Sequence, residues 1–285
     1  AYAYGDRLAG GMTAGQFIKA RIIRFYPLYL LGILLGVVEA IVTIRLGQGS
    51  LDWSWTKLLI SLPFALVMLP TPGGHTLYPL NGIMWSIGFE LLINIFWAFF
   101  WRPLRQVRIL VVVIFLSAVG LSVSVLHWNS LVGLGTSWQT FIGGVFRVSY
   151  SFCLGLLLYR IHKAPVLPNL PPLLLMGALP ALLFLPLSPG TELLVVLFVL
   201  PWFVLLGSRV QPGQILGWVC DKLGAASYAL YTVHNRLYRL SYGGLLFLGI
   251  DLQPYAPWAG VGFILLLIGL SLALEYHFPA PIPKL

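Results

Sequence analysis

The sequence predicts an all-α fold: a polytopic transmembrane helical bundle of about eight crossings plus one re-entrant or interfacial segment. Two observations carry this. Of the 285 residues, 59% are hydrophobic and 9% charged, with a mean hydropathy of +0.91, whereas soluble domains hold roughly 25% charged residues. Apolar runs of about 17–21 residues, the length that crosses a bilayer, also recur along most of the chain. In this setting the net charge of +9 reads as the cytoplasmic-loop bias of a membrane protein, and no nucleic-acid partner is implied. Cys153 and Cys220 show no pairing or metal-ligand spacing. GxGxxG, P-loop and HExxH motifs are absent, so neither a metal site nor a bound cofactor is expected.

The segments follow in order. Residues 26–44 come after Arg7, Lys19, Arg21 and Arg24, which puts the entrance of the first crossing in the cytoplasm. The next run, 57–70, is short and broken by Pro63, which suits a re-entrant or interfacial piece. Segment 85–101 is followed by Arg102, Arg105 and Arg108. An even number of crossings must separate the two basic clusters, so 57–70 does not cross. Segments 107–127 and 143–160 flank a loop, 128–142, without Lys or Arg, and Arg160 with Lys163 returns inside. Segments 171–187 and 191–207 flank 188–190, and Arg209 with Lys222 again lies inside. The last two segments are 223–242 and 258–276, with Lys284 after them. Both termini are then cytoplasmic, and residues 1–285 form a single membrane domain. Arg236 and Arg239 resist the scheme, because they fall at the outer end of 223–242.

Several polar residues sit inside these apolar runs. In "MWSIGFELLINIFWAFFW", Ser86, Glu90, Asn94 and Trp97 recur at helical spacing and share one face. A carboxylate at that depth costs roughly 2.5–3.5 kcal/mol on insertion scales, so Glu90 is expected to face the bundle interior or a wet cavity. It is either a functional group or a structural tie to a neighbouring helix. Arg21 and Arg24 stand at the cytoplasmic entrance, with Glu39 five turns beyond Arg21 on the same face. The two arginines read equally as a phosphate-binding pair and as topology anchors. Arg147 shares a face with Tyr150 and Ser151 and suits snorkelling at the outer end. In "LGAASYALYTVHNRLYRL", Ser227, Tyr231, His234, Tyr238 and Ser241 line one side, a stripe expected to line a cavity or pack polar to polar.

Three stretches also resemble a known family. "KARIIRFYPLYLLG", "YPLNGIMWSIGFELLINIFW" and "LGAASYALYTVHN" are similar to the motifs of the acyltransferase-3 family of membrane acyltransferases, in order and spacing across nearly the whole chain. The matching positions are Arg21, Arg24, Pro27 and Tyr29; then Asn81, Trp85, Ser86 and Glu90; then Gly224, Ser227, Tyr228, Tyr231 and His234. The resemblance implies about ten transmembrane helices, and a general-base histidine after an R-G-x-A-like motif upstream of the first residue here. The chain opens "AYAYGDRLAGGM" without an initiator Met, so upstream sequence is expected. Pro279 stands where many members carry Glu, and Glu275 is out of register with it.

The resemblance implies transfer of an acyl group, most often acetyl, from cytoplasmic acyl-CoA to a hydroxyl of a cell-surface or exported glycan. Acyl-CoA is the donor substrate, and the setting is the bacterial inner (plasma) membrane. Arg21 and Arg24 are expected to bind the anionic CoA. Glu90, Ser86 and His234 are the expected catalytic residues, and Asn81, Trp85 and Tyr231 the expected substrate contacts. The same intramembrane charges fit a second reading, a transporter or flippase of a lipid-linked sugar.

Overall fold

The computed structural model describes residues 11–47, 53–161 and 170–278. The described residues form helices joined by turns: α1 Ala14–Leu46, α2 Trp55–Leu66, α3 Trp85–Leu104, α4 Val107–Trp128, α5 Phe141–Ile161, α6 Pro172–Leu183, α7 Pro189–Gly207, α8 Gln214–Phe247 and α9 Trp258–His277. A 3₁₀ turn, Gly82–Met84, leads into α3. Among them, α1, α3 with its leading turn, α4, α5, α7 and α9 are long and apolar enough to cross a membrane. The all-α membrane bundle expected from composition is therefore present.

Three segments decide the crossing count. α2 has 12 residues, about 18 Å at the helical rise, well short of a hydrocarbon core about 30 Å thick; this agrees with excluding 57–70. α6 is equally short, because the apolar run 171–187 stops being helical at Leu183. α8 has 34 residues, long enough to cross, yet it carries Asp221, Lys222, Arg236 and Arg239. Among the described residues six helices qualify as crossings by length and apolarity, and α8 has the length for a further one.

The chain divides into two compact units, one of residues 1–19 and 89–217, the other of 20–88 and 218–285. In the first, α4 packs on α5, where Gly120 lies so close to the Phe146 ring that a Cβ would meet it at 2.6 Å. Leu121, Val125, Leu131, Leu134 and Leu193 form its core. Within α7, Val195–Val199 is a π-helical turn, followed by Pro201. Proline has no N–H for the carbonyl four residues back, which is that of Leu197. The Tyr150 hydroxyl donates to this oxygen at 2.7 Å, so an acceptor freed inside an apolar bundle is met from a neighbouring helix. Arg147 donates to the Leu131 carbonyl in the α4–α5 loop at 3.4 Å, as a side chain reaching for the segment end would. Arg160 donates to the Leu104 and Arg105 carbonyls at 2.8 and 3.0 Å. The basic ends of α3 and α5 therefore meet, as the loop-charge scheme requires.

The second unit is organised around α1 and α8. Tyr228 donates to the Phe25 carbonyl at 2.7 Å, Asn81 joins Gly32 to Thr232, and Glu39 pairs with Arg236 and Arg239. The contacts ascend together in both helices, so α1 and α8 run parallel. Segments 26–44 and 223–242 were expected to cross in the same direction, and they do run in the same direction.

Candidate functional site

The arginine motif begins the second unit. The Arg21 guanidinium lies 4.7 Å over the Phe25 ring, whose other neighbour is Tyr228 at 5.4 Å; Arg24 is half-buried beside them. Further along, Tyr29 is fully buried and donates to Ala65 at 2.8 Å, while Tyr26 donates to Leu66 at 3.1 Å. These phenols add to the capping of the end of α2, where the Ala65 carbonyl also accepts from the Met68 N–H at 3.0 Å. The Pro-x-Tyr part of the motif therefore holds α2 in place.

After α2 the chain turns at Met68, in the left-handed region at φ 59°, and comes back along α1 as non-helical backbone. Leu77, Tyr78, Leu80 and Asn81 are all buried. Pro79 accepts from Arg236 at 3.1 Å, Leu80 lies against Gly36, and Asn81 reaches Gly32. The segment thus descends three levels beside α1. Several of its polar groups are met by protein, as backbone inside a membrane protein requires: Tyr78 donates to Met68 at 3.1 Å, and the Thr71 N–H donates to Leu77 at 2.8 Å. Gly32 and Gly36 allow the approach. A Cβ on Gly36 would collide with the Leu80 carbonyl, and one on Gly32 would meet Thr232 at 2.7 Å and Asn81 at 2.9 Å.

Asn81 is fully buried, and its amide nitrogen donates to the carbonyls of Gly32 at 3.3 Å and Thr232 at 3.0 Å. It clamps α1 and α8 at the entry to α3. Trp85 follows, half-buried, at the first position of α3. Ser86 lies 2.5 Å from the Tyr231 hydroxyl, and both face the Ile83 carbonyl, at 3.2 and 3.0 Å. Two hydroxyl protons serve three possible links, so either hydroxyl can turn a proton toward a newcomer. One turn on, His234 Nδ1 faces the carbonyls of Leu230 and Tyr231 at 3.1 and 2.9 Å. Acceptors on that side place the proton on Nδ1 and leave the Nε2 lone pair for other work.

The last level is a buried ion cluster. Glu39, 7% exposed, accepts from Arg236, which is 3% exposed, and from Arg239 Nε at 2.6 Å. Paired in this way, the two arginines that violate the charge scheme are not topology anchors. They also border a cavity of about 530 Å³ between the start of α2, the loop after it and α8. The buried face of α8 is Ala226, Ala229, Thr232, Val233 and Arg236. The expected stripe is offset from it: Tyr231 and His234 are half-buried, while Ser227, Tyr238 and Ser241 are exposed.

Glu90 belongs to the first unit. It is half-buried, and its carbonyl accepts from Asn94 at 2.7 Å. Asn94 and Trp97 are buried, the latter edge-on to Phe17 at 5.4 Å. The face of α3 that carries Glu90 is therefore turned into protein, as its cost in lipid predicts.

The cavity residues and the Glu39 clasp were not singled out as a site from the sequence. Glu39 and Arg236 are 197 positions apart, and no local pattern links them. The usable signal was the pair of arginines that broke the topology.

Comparison with known proteins gives two matches. The profile of a family described as an acyltransferase domain matches residues 2–276. A protein of Rhizobium radiobacter described as protein 2 in the picA locus is 36% identical over 135 residues, covering 44% of this chain and 70% of its own length. No solved structure matches.

Proposed function

This chain belongs to the acyltransferase domain family, and from that premise we propose that it moves an acetyl group from cytoplasmic acyl-CoA to a hydroxyl of a cell-surface or exported glycan. Its apolar helices make it an integral membrane protein; its place in this proposal is the bacterial inner membrane, with both termini cytoplasmic. One observation supports the reading most. Along the parallel α1 and α8, a guanidinium pair, a hydroxyl–imidazole cluster and a cation-lined cavity stand at successive levels. Arg21 and Glu39 are 18 residues apart on α1, about 27 Å at the helical rise, close to the thickness of a hydrocarbon core. The two ends then face opposite sides of the membrane, and the cluster lies between them.

Arg21 and Arg24 hold the CoA phosphates by charge-assisted hydrogen bonds, with the thioester directed along α8. The acceptor hydroxyl arrives from the Glu39 end. Within this chain His234 Nε2, in place of the upstream histidine that the resemblance implies, takes its proton as the oxygen attacks the thioester carbonyl. The Ser86–Tyr231 pair turns a hydroxyl proton toward the developing oxyanion. The C–S bond then breaks, an ester C–O bond remains, and the proton passes from His234 to the departing thiolate as free CoA–SH. Glu90, four residues after Ser86 on α3, is the group that orients a partner. Asn81 and Trp85 position the start of α3 against the acceptor.

The test is purified protein given acetyl-CoA and a saccharide, with CoA thiol and saccharide ester measured together. Equal amounts of both are expected. Saccharide uptake into vesicles without CoA release would replace this reading with a transporter or flippase.

A further inference from the structure

We infer that Glu39 and Arg236 are positioning residues for acyl transfer: the buried pair fixes the stretch 79–86 against α8 and so sets the Ser86–Tyr231 pair beside the His234 turn. This rests on the acyltransfer reading above. Residues 79–81 are turn and bend, followed by the 3₁₀ turn Gly82–Met84, so no α-helical ladder sets their path before α3 begins at Trp85. Their register comes from side-chain hydrogen bonds with α8. Arg236 donates to the Pro79 carbonyl at 3.1 Å, Asn81 to the Thr232 carbonyl at 3.0 Å, and Tyr231 to the Ile83 carbonyl at 3.0 Å. Residue numbers rise along the stretch as they fall along α8. The stretch therefore runs antiparallel to α8 and delivers Ser86 to the Tyr231 hydroxyl, 2.5 Å away.

Arg236 makes the first of these links, and it is tied to a third element. Its Nη1 donates to Glu39 on α1 and its Nη2 to Pro79. A guanidinium is planar and its donors stand at fixed angles, so one buried group meets a carboxylate on α1 and a backbone carbonyl of the stretch at once. Arg239 Nε holds the other carboxylate oxygen at 2.6 Å, which fixes the plane of Glu39.

Stability alone does not account for such a pair. Taking two charges out of water is costly, and apolar residues in place of a buried ion pair often leave a protein as stable or more so. An apolar pair, however, cannot fix the direction of a backbone carbonyl. From Tyr231 to Arg236, with His234 between them, is about 7.5 Å at the helical rise, so a shift at Pro79 reaches the reacting groups within a turn and a half. A misplacement of about 1 Å can cost about 10²-fold in rate. Arg236 also borders the cavity, whereas Glu39 is not among the described residues that line it. A substitution at Glu39 therefore acts on the reaction through the arginines.

The full-length protein in nanodiscs, given acetyl-CoA and a saccharide, tests this with Glu39→Gln, Arg236→Lys and the double variant Glu39→Leu/Arg236→Met. In the double variant Arg239 loses its carboxylate, but its side chain is 31% exposed and can be hydrated. Glu39→Gln and the double variant should lower kcat about 10–100-fold while the KM for acetyl-CoA stays at its wild-type value. The double variant should also keep a Tm close to wild type, a combination that a merely structural role would not produce. Arg236→Lys keeps the charge but not the fork, so it should hold Tm and still lose kcat. A second readout needs no turnover: the His234 ring signal in protein with isotope-labelled histidine, assigned by its loss in His234→Gln, should move in the double variant. Wild-type kcat in the double variant overturns the inference and leaves the acyltransfer reading standing. If the double variant does not fold, wild-type kcat in Arg236→Lys overturns it in the same way. An unmoved His234 signal also overturns it. A moved signal with no CoA release by the wild-type protein removes the acyltransfer reading and keeps the pair as what sets the His234 turn.

Discussion

In the proposed reaction single side chains carry most of the chemistry, and variants at three of them separate function from framework. Arg24→Ala should weaken acyl-CoA binding by about 1.5–3 kcal/mol, the range for a hydrogen bond to a charged group. Arg24→Lys should restore only part, because the guanidinium fork is lost. Titration of CoA onto the two variants measures both; donor affinity equal to wild type in Arg24→Ala would make the residue an anchor. His234→Ala should lower the transfer rate by roughly 10²–10⁴, the usual scale of general-base catalysis, while the Kd for acyl-CoA stays put. At Glu90 the comparison is between Gln and Ala. A functional carboxylate predicts that both abolish transfer and that Glu90→Gln keeps a near-normal Tm. A structural tie predicts the reverse, an active Glu90→Gln and an unstable Glu90→Ala.

At the scale of elements, the account depends on how closely the buried segment 77–81 runs along α1. Gly36 leaves no room for a Cβ against the Leu80 backbone. Gly36→Val should therefore destabilise the protein by roughly 1–3 kcal/mol or more, as overpacking does, and should lower Tm in nanodiscs. Gly217→Ala is the control, because its nearest neighbour is a Pro212 side-chain atom at 3.7 Å. The helices themselves were legible, since apolar run length located those that cross, and the shortness of 57–70 set α2 apart. The buried return was not. "LPTPGGHTLYPL" reads as a turn-rich loop, and what buries it is two glycines on α1 and the reach of Asn81 to Thr232 on α8, partners remote in sequence. Run length also overstated α6, whose apolar tail beyond Leu183 continues in composition but not in helix. Of the expected site residues, the structure brings Ser86, Tyr231 and His234 to one place, with Asn81 clamping the helices nearby. The motif order in the chain had hinted at that grouping without giving its geometry. The Glu39 clasp lay beyond reach, because a pair separated by most of the chain leaves no periodic trace.

In the proposed reaction, α1 and α8 run parallel from a donor end at Arg21 and Arg24 to an acceptor end at Glu39, on opposite membrane faces. The sidedness of transfer tests this arrangement. Membrane vesicles of both orientations, sealed to CoA, would receive labelled acetyl-CoA outside and saccharide acceptor inside, then the reverse. Label should reach the saccharide only when acetyl-CoA is on the face bearing Arg21 and Arg24 and the saccharide is on the opposite face. Transfer with donor and acceptor confined to one face, or label that follows acetyl-CoA placed at the Glu39 end, would contradict the account.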